Sequence, residues 1–467
     1  MFKKIEIWIL YLVMLLSLLV WISSIVLVRQ GIEGTTKAGP INIEPLTKPL
    51  VFISRIPEQF LREVIIHPFR VNDPWKKTRS FFSQDGFKLE ANYDESSDTQ
   101  YLLLSRFDGN VMQGVVELIN LRNFEVLHRW NPDLDAFNDS VEKVGEFKNL
   151  DKNEADHRSN LMHPLLTSDG GLIFGWHAPL RKIDSCSNLI FQNTHDSFHH
   201  SIELDAEENI WVPSHLNPEV IEEYKVGRNR GFLDDAIVKL SPDGDVIYEK
   251  SVSEIFIENE MEYLLFAVGA NNFFVKDPIH LNDIQPADSD TKFWKKGDVF
   301  LSLRHQSMIM LFRPSTNEII WKSTQMFFHP HDVDILDDHR ISVFNNNSKD
   351  LINGDIVDGH NEVIIFNFET GEYSSYHKAS MEKYDVRTIT QGQSEILPDG
   401  SLIVEESNYG RTLYFGPEGS LRWSHVNKAN DGNVYTVGWS RILHTEEDID
   451  NVNQFLSSRK NCTQIIK

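Results

Sequence analysis

Short runs of alternating apolar and polar residues fill the chain from about residue 101 to residue 445. Tight polar turns separate the runs, among them "SDGG" at 168–171, "PDGD" at 242–245, "PDGS" at 398–401 and "PEGS" at 417–420. A period of two places every second side chain on one face of a strand, and turns of this type join neighbouring strands as hairpins. The pattern therefore predicts an all-β fold.

Two kinds of hairpin alternate along this region. One begins with a polar or histidine-bearing segment, as in "HLNDIQPADSDTKFWKKGDVFLSLRH", and the other ends on an aromatic or apolar edge, as in "MIMLFRPSTNEIIWKS". Six such pairs, each of about fifty residues, predict a six-bladed β-propeller over residues 101–445, with an insertion around 253–279. The later segment "NVYTVGWSRIL" is strand-like and is predicted to close the ring on the first blade, leaving 446–467 as a polar, peripheral tail.

The N-terminal segment has a different character. Ile7–Val28 is apolar apart from three serines, and at about 1.5 Å per residue a helix of this length crosses a hydrocarbon core of roughly 30 Å. Lys3 and Lys4 precede it, which predicts a single-pass anchor at 1–30 with a cytoplasmic N-terminus and an exported body. A long cleaved signal peptide is the alternative. Residues 31–100 are predicted to be a linker with a short helix from about Arg55 to Trp75.

Composition narrows the possible partners. The formal net charge of −24 disfavours a nucleic-acid partner, because phosphate binding requires basic surface. The same field repels anionic substrates, so an anionic substrate would need local Arg and His side chains. The sequence leaves open whether the two cysteines, Cys186 and Cys462, pair, and it contains no Cys/His spacing typical of zinc sites.

Histidines recur at the start of the first kind of hairpin. The first strand of each blade lines the channel of a propeller, so His163, His200, His280 and His331 are predicted to occupy equivalent positions and to converge on one axis. Gln393 and Ser394 take the corresponding place in the fifth hairpin of this kind. In "FHPHDVDI", residues at i and i+2 of a strand share a face, which predicts that His329 and His331 point the same way. The alternative is that these are hydrogen-bonded structural residues, particularly His163 and His199.

Several segments resemble the serial motifs of the arylsulfotransferase family: "HHSIELDAEENIWV", "HLNDI" with "GDVFLSLRH", "FHPHDVDILDDHRISVFNN" and "GQSEILPDGSLIVEESNYGR". The resemblance spans about residues 160–442. It implies an exported six-bladed propeller, in the periplasm or outside the cell. It also implies sulfuryl transfer from an aryl sulfate to a phenolic acceptor through a sulfated histidine, without a cofactor.

The resemblance also implies roles for particular residues. His331, which stands where the family has its "QHD" histidine, is expected to be catalytic together with His200 and His280, and the nucleophile among them is left open. Substrate binding is expected from six further residues: His329, Asn282, Arg304, Arg411, Asn345 and Lys349. Here Lys349 stands roughly where the family has an arginine, and Asp332 is expected to orient a neighbour or to lie in a turn.

Two other functions remain open from the sequence. A non-catalytic propeller would use the same funnel to bind an anionic ligand or a protein partner. A metal-dependent hydrolase ranks last, because no set of carboxylates dedicated to a metal is evident. The identity of the acceptor is not encoded in any recognisable motif.

Overall fold

The structure, a computed structural model, describes residues 11–18, 20, 23, 37–38, 41–42, 83–90, 100–217, 219–221, 232–266, 275–351, 354–458 and 462. The chain divides into two units, Met1–Pro74 and Trp75–Lys467. In the first unit, residues 11–18 are helical and exposed. Strands β1 (Lys37–Ala38) and β2 (Ile41–Asn42) pair in antiparallel fashion.

The predicted anchor falls only partly within the described residues, and the predicted helix at 55–75 falls outside them. Where the structure describes the chain, it contains no helix long and apolar enough to cross a membrane.

The second unit is built from antiparallel sheets, as predicted from the alternating pattern. The first sheet joins β29 (Arg441–Leu443), β4 (Tyr101–Asp108), β5 (Gln113–Asn120) and β6 (Glu125–Trp130) in that order. The second holds eight strands: β7 (Leu165–Leu166), β8 (Leu172–Phe174), β9 (Ala178–Ile183), β10 (Leu189–Phe198), β11 (Glu203–Leu204), β12 (Ile210–His215), β13 (Asp235–Leu240) and β14 (Val246–Ser251).

Three sheets follow along the chain. The first contains β15 (Leu281–Pro286), β16 (Val299–Leu303), β17 (Met308–Arg313) and β18 (Glu318–Ser323). The next contains β19 (Pro330–Ile335), β20 (Arg340–Asn345), β23 (Glu362–Asn367) and β24 (Glu372–Tyr376), and β21 (Ser348–Leu351) and β22 (Gly354–Val357) form a separate hairpin between β20 and β23. The last contains β25 (Gln393–Ile396), β26 (Leu402–Glu406), β27 (Arg411–Phe415), β28 (Leu421–Val426) and β3 (Gly86–Leu89).

Helices are short and lie between strands or at the C-terminus: Leu134–Asp139, Leu150–Asn153, Val252–Glu258, Tyr263–Phe266, Lys378–Lys383 and Glu446–Ser458. Two of them, Val252–Glu258 and Tyr263–Phe266, lie in the predicted insertion. The fold is thus all-β and propeller-like, with helices as additions.

The Asp-Gly turns close their hairpins as predicted. At Gly244 the backbone adopts φ +89° and its N–H donates to the carbonyl of Ser241, and Gly400 (φ +85°) makes the same bond to Leu397. A positive φ is favourable for glycine because it has no Cβ, which explains why glycine recurs at this turn position.

Apolar side chains fill the spaces between successive groups of strands. In the described residues, β16 is buried at every position, whereas every position of the outer strand β18 is exposed or partly buried. Burial on both faces is expected for a strand sandwiched between two neighbouring sheets. Six apolar clusters of this kind connect successive strand groups, and the last of them packs β26 and β28 against β4.

The predicted closure of the ring is confirmed, because Arg441–Leu443 pairs with Leu103–Tyr101 across β29 and β4. Part of the predicted linker belongs to a sheet, since β3 at 86–89 pairs with β28. A disulfide joins Cys186 to Cys462, with Cα atoms 5.3 Å apart, and ties the tail to the turn between β9 and β10.

The count of six blades stays a prediction. Strands assigned to the second and third blades share one eight-stranded sheet, because β10 pairs through residues 189–193 with β9 and through Ser197 and Phe198 with β12.

Candidate active site

One backbone feature repeats within three residues before each of six strands in the described part of the chain. The residues concerned have positive φ values between +52° and +126°: His163, His200, His280, His329, Gly392 and Trp439. Positive φ is uncommon for residues other than glycine, so its recurrence at the same place marks a true structural repeat. The equivalent residue before β19 is therefore His329, which corrects the prediction that His331 occupies this position.

The two histidines of "FHPH" do not share a face. The left-handed backbone at His329 and a register shift between Pro330 and Val333 interrupt the alternation that the prediction assumed. His329 Nδ1 lies 3.0 Å from Ser348 Oγ, whereas the His331 ring lies 6.2 Å from the ring of His200. They reach different parts of one site.

Imidazoles from separate strand groups meet in that site. We call the following residues the histidine cluster, because their rings form one chain of contacts no longer than 6.3 Å: His163, His177, His199, His200, His215, His280, His305, His329 and His331. His200 lies at its centre, with its ring 5.1 Å from those of His199, His280 and Trp176. His200 and His331 are buried, whereas His280 and His305 are partly exposed.

The protonation of His331 is fixed by Asn346. Asn346 Nδ2 donates to the carbonyls of Thr388 and Gln391, each at 3.0 Å, so its Oδ1 faces His331 Nδ1 at 2.6 Å. Nδ1 must then carry the proton, and Nε2 carries the lone pair. Nε2 is buried and has no hydrogen-bond partner among the residues that the structure describes. Burial lowers the pKa of His331 well below its usual value, and the charges of Arg304 and His280 lower it further.

His280 is oriented by two aspartates. Its Nδ1 lies 2.6 Å from Asp277 Oδ2, and its backbone N–H donates to Asp235 Oδ2 at 3.0 Å. The carboxylate accepts the Nδ1 proton, which leaves Nε2 as the atom that exchanges protons with a substrate.

Arg304 supplies a buried positive charge. His305 Nδ1 donates to the Asp277 carbonyl at 2.7 Å, so its Nε2 must accept the bond from Arg304 Nη1 at 2.6 Å. Arg304 Nε is buried, and no described residue accepts a hydrogen bond from it. Besides burial, the charge of Arg304 is the main reason why the pKa of His329 is lowered to about 4.

Asn282 completes a set of unsatisfied atoms. Its Nδ2 donates to the carbonyl of Pro330, next to His331, and its Oδ1 accepts no hydrogen bond from any described residue. Leaving a polar atom buried and unpaired costs about 1–3 kcal/mol, so His331 Nε2, Arg304 Nε and Asn282 Oδ1 together favour a polar ligand at this place.

Three sequence-predicted residues are engaged elsewhere. Arg411 pairs with Glu406 and donates to the carbonyl of Tyr384 at 2.9 Å. Lys349 pairs with Asp358 and lies over the ring of Phe328. Asn345 uses its amide to hold the backbone N–H of Phe328, at 2.8 Å, and the carbonyl of Met326, at 3.0 Å.

Sequence reasoning missed six contributors to this site: Asn346, Asp277, His305, Asp235, His177 and His215. Asn346 follows the asparagine that was chosen in "FNNN", and His305 follows Arg304 in "SLRH", so the motifs contained both. No local signal marked Asp235 or Asp277, because folding alone brings them to His280.

A layer of carboxyl groups lies further along the inner strands. Asp283 Oδ2 accepts from the N–H of Val333, and Asp332 Oδ2 accepts from the N–H of Ser394, each at 2.8 Å. Asp332 therefore links neighbouring strand groups. Burial raises the pKa of Asp283 to about 7, and burial and neighbouring carboxylates raise the pKa of Asp332 well above its usual value.

Comparison with known proteins identifies the family. The model of the family described as "Arylsulfotransferase (ASST)" matches residues 163–428, which are more than half of the 467 residues and include the whole histidine cluster. The chain belongs to the arylsulfotransferase family. As an arylsulfotransferase-family protein it falls in a class that transfers sulfuryl groups, as the motif resemblance implied. No curated protein matches the chain.

Solved structures similar to this arylsulfotransferase-family chain are distant. A protein of unknown function from Bacteroides caccae is 13% identical with a TM-score of 0.43, over 73% of this chain and 98% of that chain. The Pan2 WD40 domain of Neurospora crassa is 10% identical with a TM-score of 0.38, over 76% and 94%. A catalytically inactive virginiamycin B lyase from Staphylococcus aureus with quinupristin is 10% identical with a TM-score of 0.35, over 72% and 88%.

Proposed function

We propose that this protein moves a sulfuryl group from an aryl sulfate to a phenolic acceptor, with His331 as the nucleophile. The observation that carries the proposal is the bond from His331 Nδ1 to Asn346 Oδ1, which leaves a buried lone pair on Nε2. A neutral imidazole with a free lone pair is a competent nucleophile, whereas an imidazolium is not.

In the first half-reaction, the Nε2 lone pair of His331 attacks sulfur and the S–O bond to the aryl group breaks. The departing phenoxide takes a proton from Nε2 of His280, whose Nδ1 is held by Asp277. His280 is partly exposed, so a phenol released beside it can reach solvent. The products are a phenol and a sulfated His331.

In the second half-reaction, His280 takes the proton of the acceptor phenol. The phenolic oxygen attacks sulfur, the S–N bond to His331 breaks, and the electron pair returns to Nε2. Asn282 Oδ1 has the right polarity to accept a hydrogen bond from the hydroxyl group of an acceptor. This amide oxygen cannot donate a hydrogen bond to a sulfate oxygen. The substrate-binding role predicted for Asn282 is therefore limited to binding the acceptor.

Arg304 stabilises the transferring group. Its Nε can donate to a sulfuryl oxygen, and a buried guanidinium is effective because little water screens it. This local charge counters the global repulsion that a protein of net charge −24 exerts on an anionic donor.

The test is turnover of a chromogenic aryl sulfate with and without a phenol. The proposal is supported by chromophore release that requires the phenol. This release should be lost in His331→Asn and kept in His339→Asn, because His339 lies outside the cluster and pairs with Asp337 and Asp338. Saturable binding of the aryl sulfate without release would instead favour the non-catalytic propeller.

We further propose six blades, an N-terminal membrane anchor and an exported catalytic unit. Six apolar clusters between successive strand groups support the count, with the eight-stranded sheet taken as two blades. The apolar run Ile7–Val28 supports the anchor. The disulfide between Cys186 and Cys462 supports export, because disulfides persist in oxidising compartments.

A further inference from the structure

Beside the proposed catalytic residues lies a second group of ligand-type side chains: His199, His215 and Asp235. The pairing of β12 with β13 sets His215 directly opposite Asp235, and the end of β10 brings His199 next to both. Their ligand atoms all lie within 4.8 Å of one another.

The separations within this group do not fit hydrogen bonds. Asp235 Oδ1 lies 3.3 Å from His199 Nε2 and 3.4 Å from His215 Nε2. A charge-assisted bond would bring these atoms to about 2.7–2.9 Å, as in the 2.6 Å contact of His280 with Asp277. Within the described part of the chain, Asp235 Oδ1 and both ring nitrogens of His199 have no hydrogen-bond partner.

The same separations fit a shared metal ion. Two ligands bound at about 2.0–2.1 Å in tetrahedral geometry lie about 3.3–3.4 Å apart, which matches both measured distances. An ion between the three atoms would satisfy the polar atoms that are otherwise buried and unpaired.

The surroundings are those of a metal site with an open position. Asp235 uses Oδ2 to accept the backbone N–H of His280 at 3.0 Å, which fixes its orientation as an outer-shell bond does in metal sites. His199 and Asp235 are buried, whereas His177 is exposed and its ring lies 5.7 Å from that of His199. Solvent therefore reaches the group on the side of His177.

We propose that His199 Nε2, His215 Nε2 and Asp235 Oδ1 bind a divalent cation of the zinc type, with water at the fourth position. Imidazole and carboxylate ligands in tetrahedral arrangement favour Zn²⁺ over Mg²⁺ or Ca²⁺, which prefer oxygen ligands. The cation lies beside His200, whose ring is 5.1 Å from that of His199, and adds positive charge where an anionic donor is proposed to bind.

The test is metal binding by the purified full chain, measured independently of turnover. After treatment with a chelator and titration with Zn²⁺, the wild type should retain about one zinc ion per chain on dialysis, and Co²⁺ in its place should give the strong visible absorption of a tetrahedral site. His215→Gln should lose both signals; it removes a ligand that the proposed transfer does not use. The control His157→Gln alters an exposed histidine that belongs to none of the ligand-type groups found among the described residues, and it should retain both signals.

Two results would overturn the site: a wild type that retains no zinc, or equal zinc retention by wild type and His215→Gln. Thermal melting of the wild type with and without Zn²⁺ covers the case in which His215→Gln fails to fold, since a bound ion must raise the melting temperature. An unchanged melting temperature would also count against the site. Neither result bears on sulfuryl transfer, which is read from chromophore release.

Discussion

Asn346 Oδ1 lies 2.6 Å from His331 Nδ1, and this contact determines which nitrogen of His331 is available for reaction. The asparagine cannot rotate to offer its amide group instead, because Nδ2 is held by the carbonyls of Thr388 and Gln391. A buried amide thus selects the tautomer of a buried imidazole.

Replacing Asn346 should therefore slow sulfuryl transfer without preventing the substrate from binding. We expect Asn346→Ala to lower kcat by about 10–100-fold, the usual cost of losing a partner that orients a reactive histidine. Asn346→Asp keeps an acceptor for Nδ1 and should restore part of the activity. The negative charge should also raise the pKa of His331, whose neighbours are otherwise Arg304, His280 and His200. The acid limb of the pH profile of activity should then move to higher pH. Equal losses in both variants, with unshifted profiles, would point to a purely structural asparagine.

Arg304 should be sensitive even to a conservative change. Lysine cannot both reach His305 Nε2 and present a second donor as the guanidinium does through Nη1 and Nε. We expect Arg304→Lys to reduce kcat/KM by about 10²–10³-fold, the typical cost of losing a donor to developing charge. Arg340→Lys, at an exposed arginine that pairs with Asp337, is the matched control and should have little effect. The measurement is steady-state kinetics with one aryl sulfate. A near-normal kcat/KM in Arg304→Lys would show that the guanidinium of Arg304 is not needed for sulfuryl transfer.

Asn345 should behave differently from its neighbour. Its amide holds local backbone at Phe328 and Met326, so Asn345→Ala should lower the free energy of unfolding by about 1–3 kcal/mol. Activity per folded molecule should stay near that of the wild type. Denaturant titration together with kinetics separates these effects. A selective loss of kcat at unchanged stability would restore the substrate-binding role that the sequence suggested.

Glu154 should make stability fall as pH rises. Burial raises its pKa from the ordinary 4.5 to about 8, while Ser159 donates to its Oε2 at 2.6 Å. Between these values the folded chain keeps a proton that the unfolded chain has lost. The stability due to Glu154 is thus complete below pH 4.5 and is lost as pH rises to about 8.

Glu154→Gln removes this ionisation. Between pH 5 and 8, rising pH should lower the melting temperature less, or raise it more, in the variant than in the wild type. Asp283, whose pKa is raised to about 7, and the buried histidines, whose pKa values are lowered, contribute equally to the slope in both proteins. Glu447→Gln alters an exposed carboxyl group and should leave the slope unchanged. Identical slopes for Glu154→Gln and wild type would contradict the assignment.

The sequence was sufficient for the fold class and for much of the site. Periodicity and Asp-Gly turns predicted the hairpins, and the repeat predicted that His200, His280 and His331 approach one another. The sequence could not show that a residue with left-handed backbone precedes each inner strand. This backbone conformation at His329 directs His329 and His331 to different parts of the site. Nor could the sequence pair Asp235 with His199 and His215, since those contacts depend on strand register.

The covalent intermediate tests the central claim most directly. The purified protein would be mixed with an aryl sulfate without acceptor, digested under alkaline conditions that preserve sulfohistidine, and mapped by mass spectrometry. We predict the added mass of one SO₃ on His331, lost on acid treatment or on adding a phenol. Modification of another residue, or release of the phenol from the aryl sulfate with no modified histidine, would contradict the account.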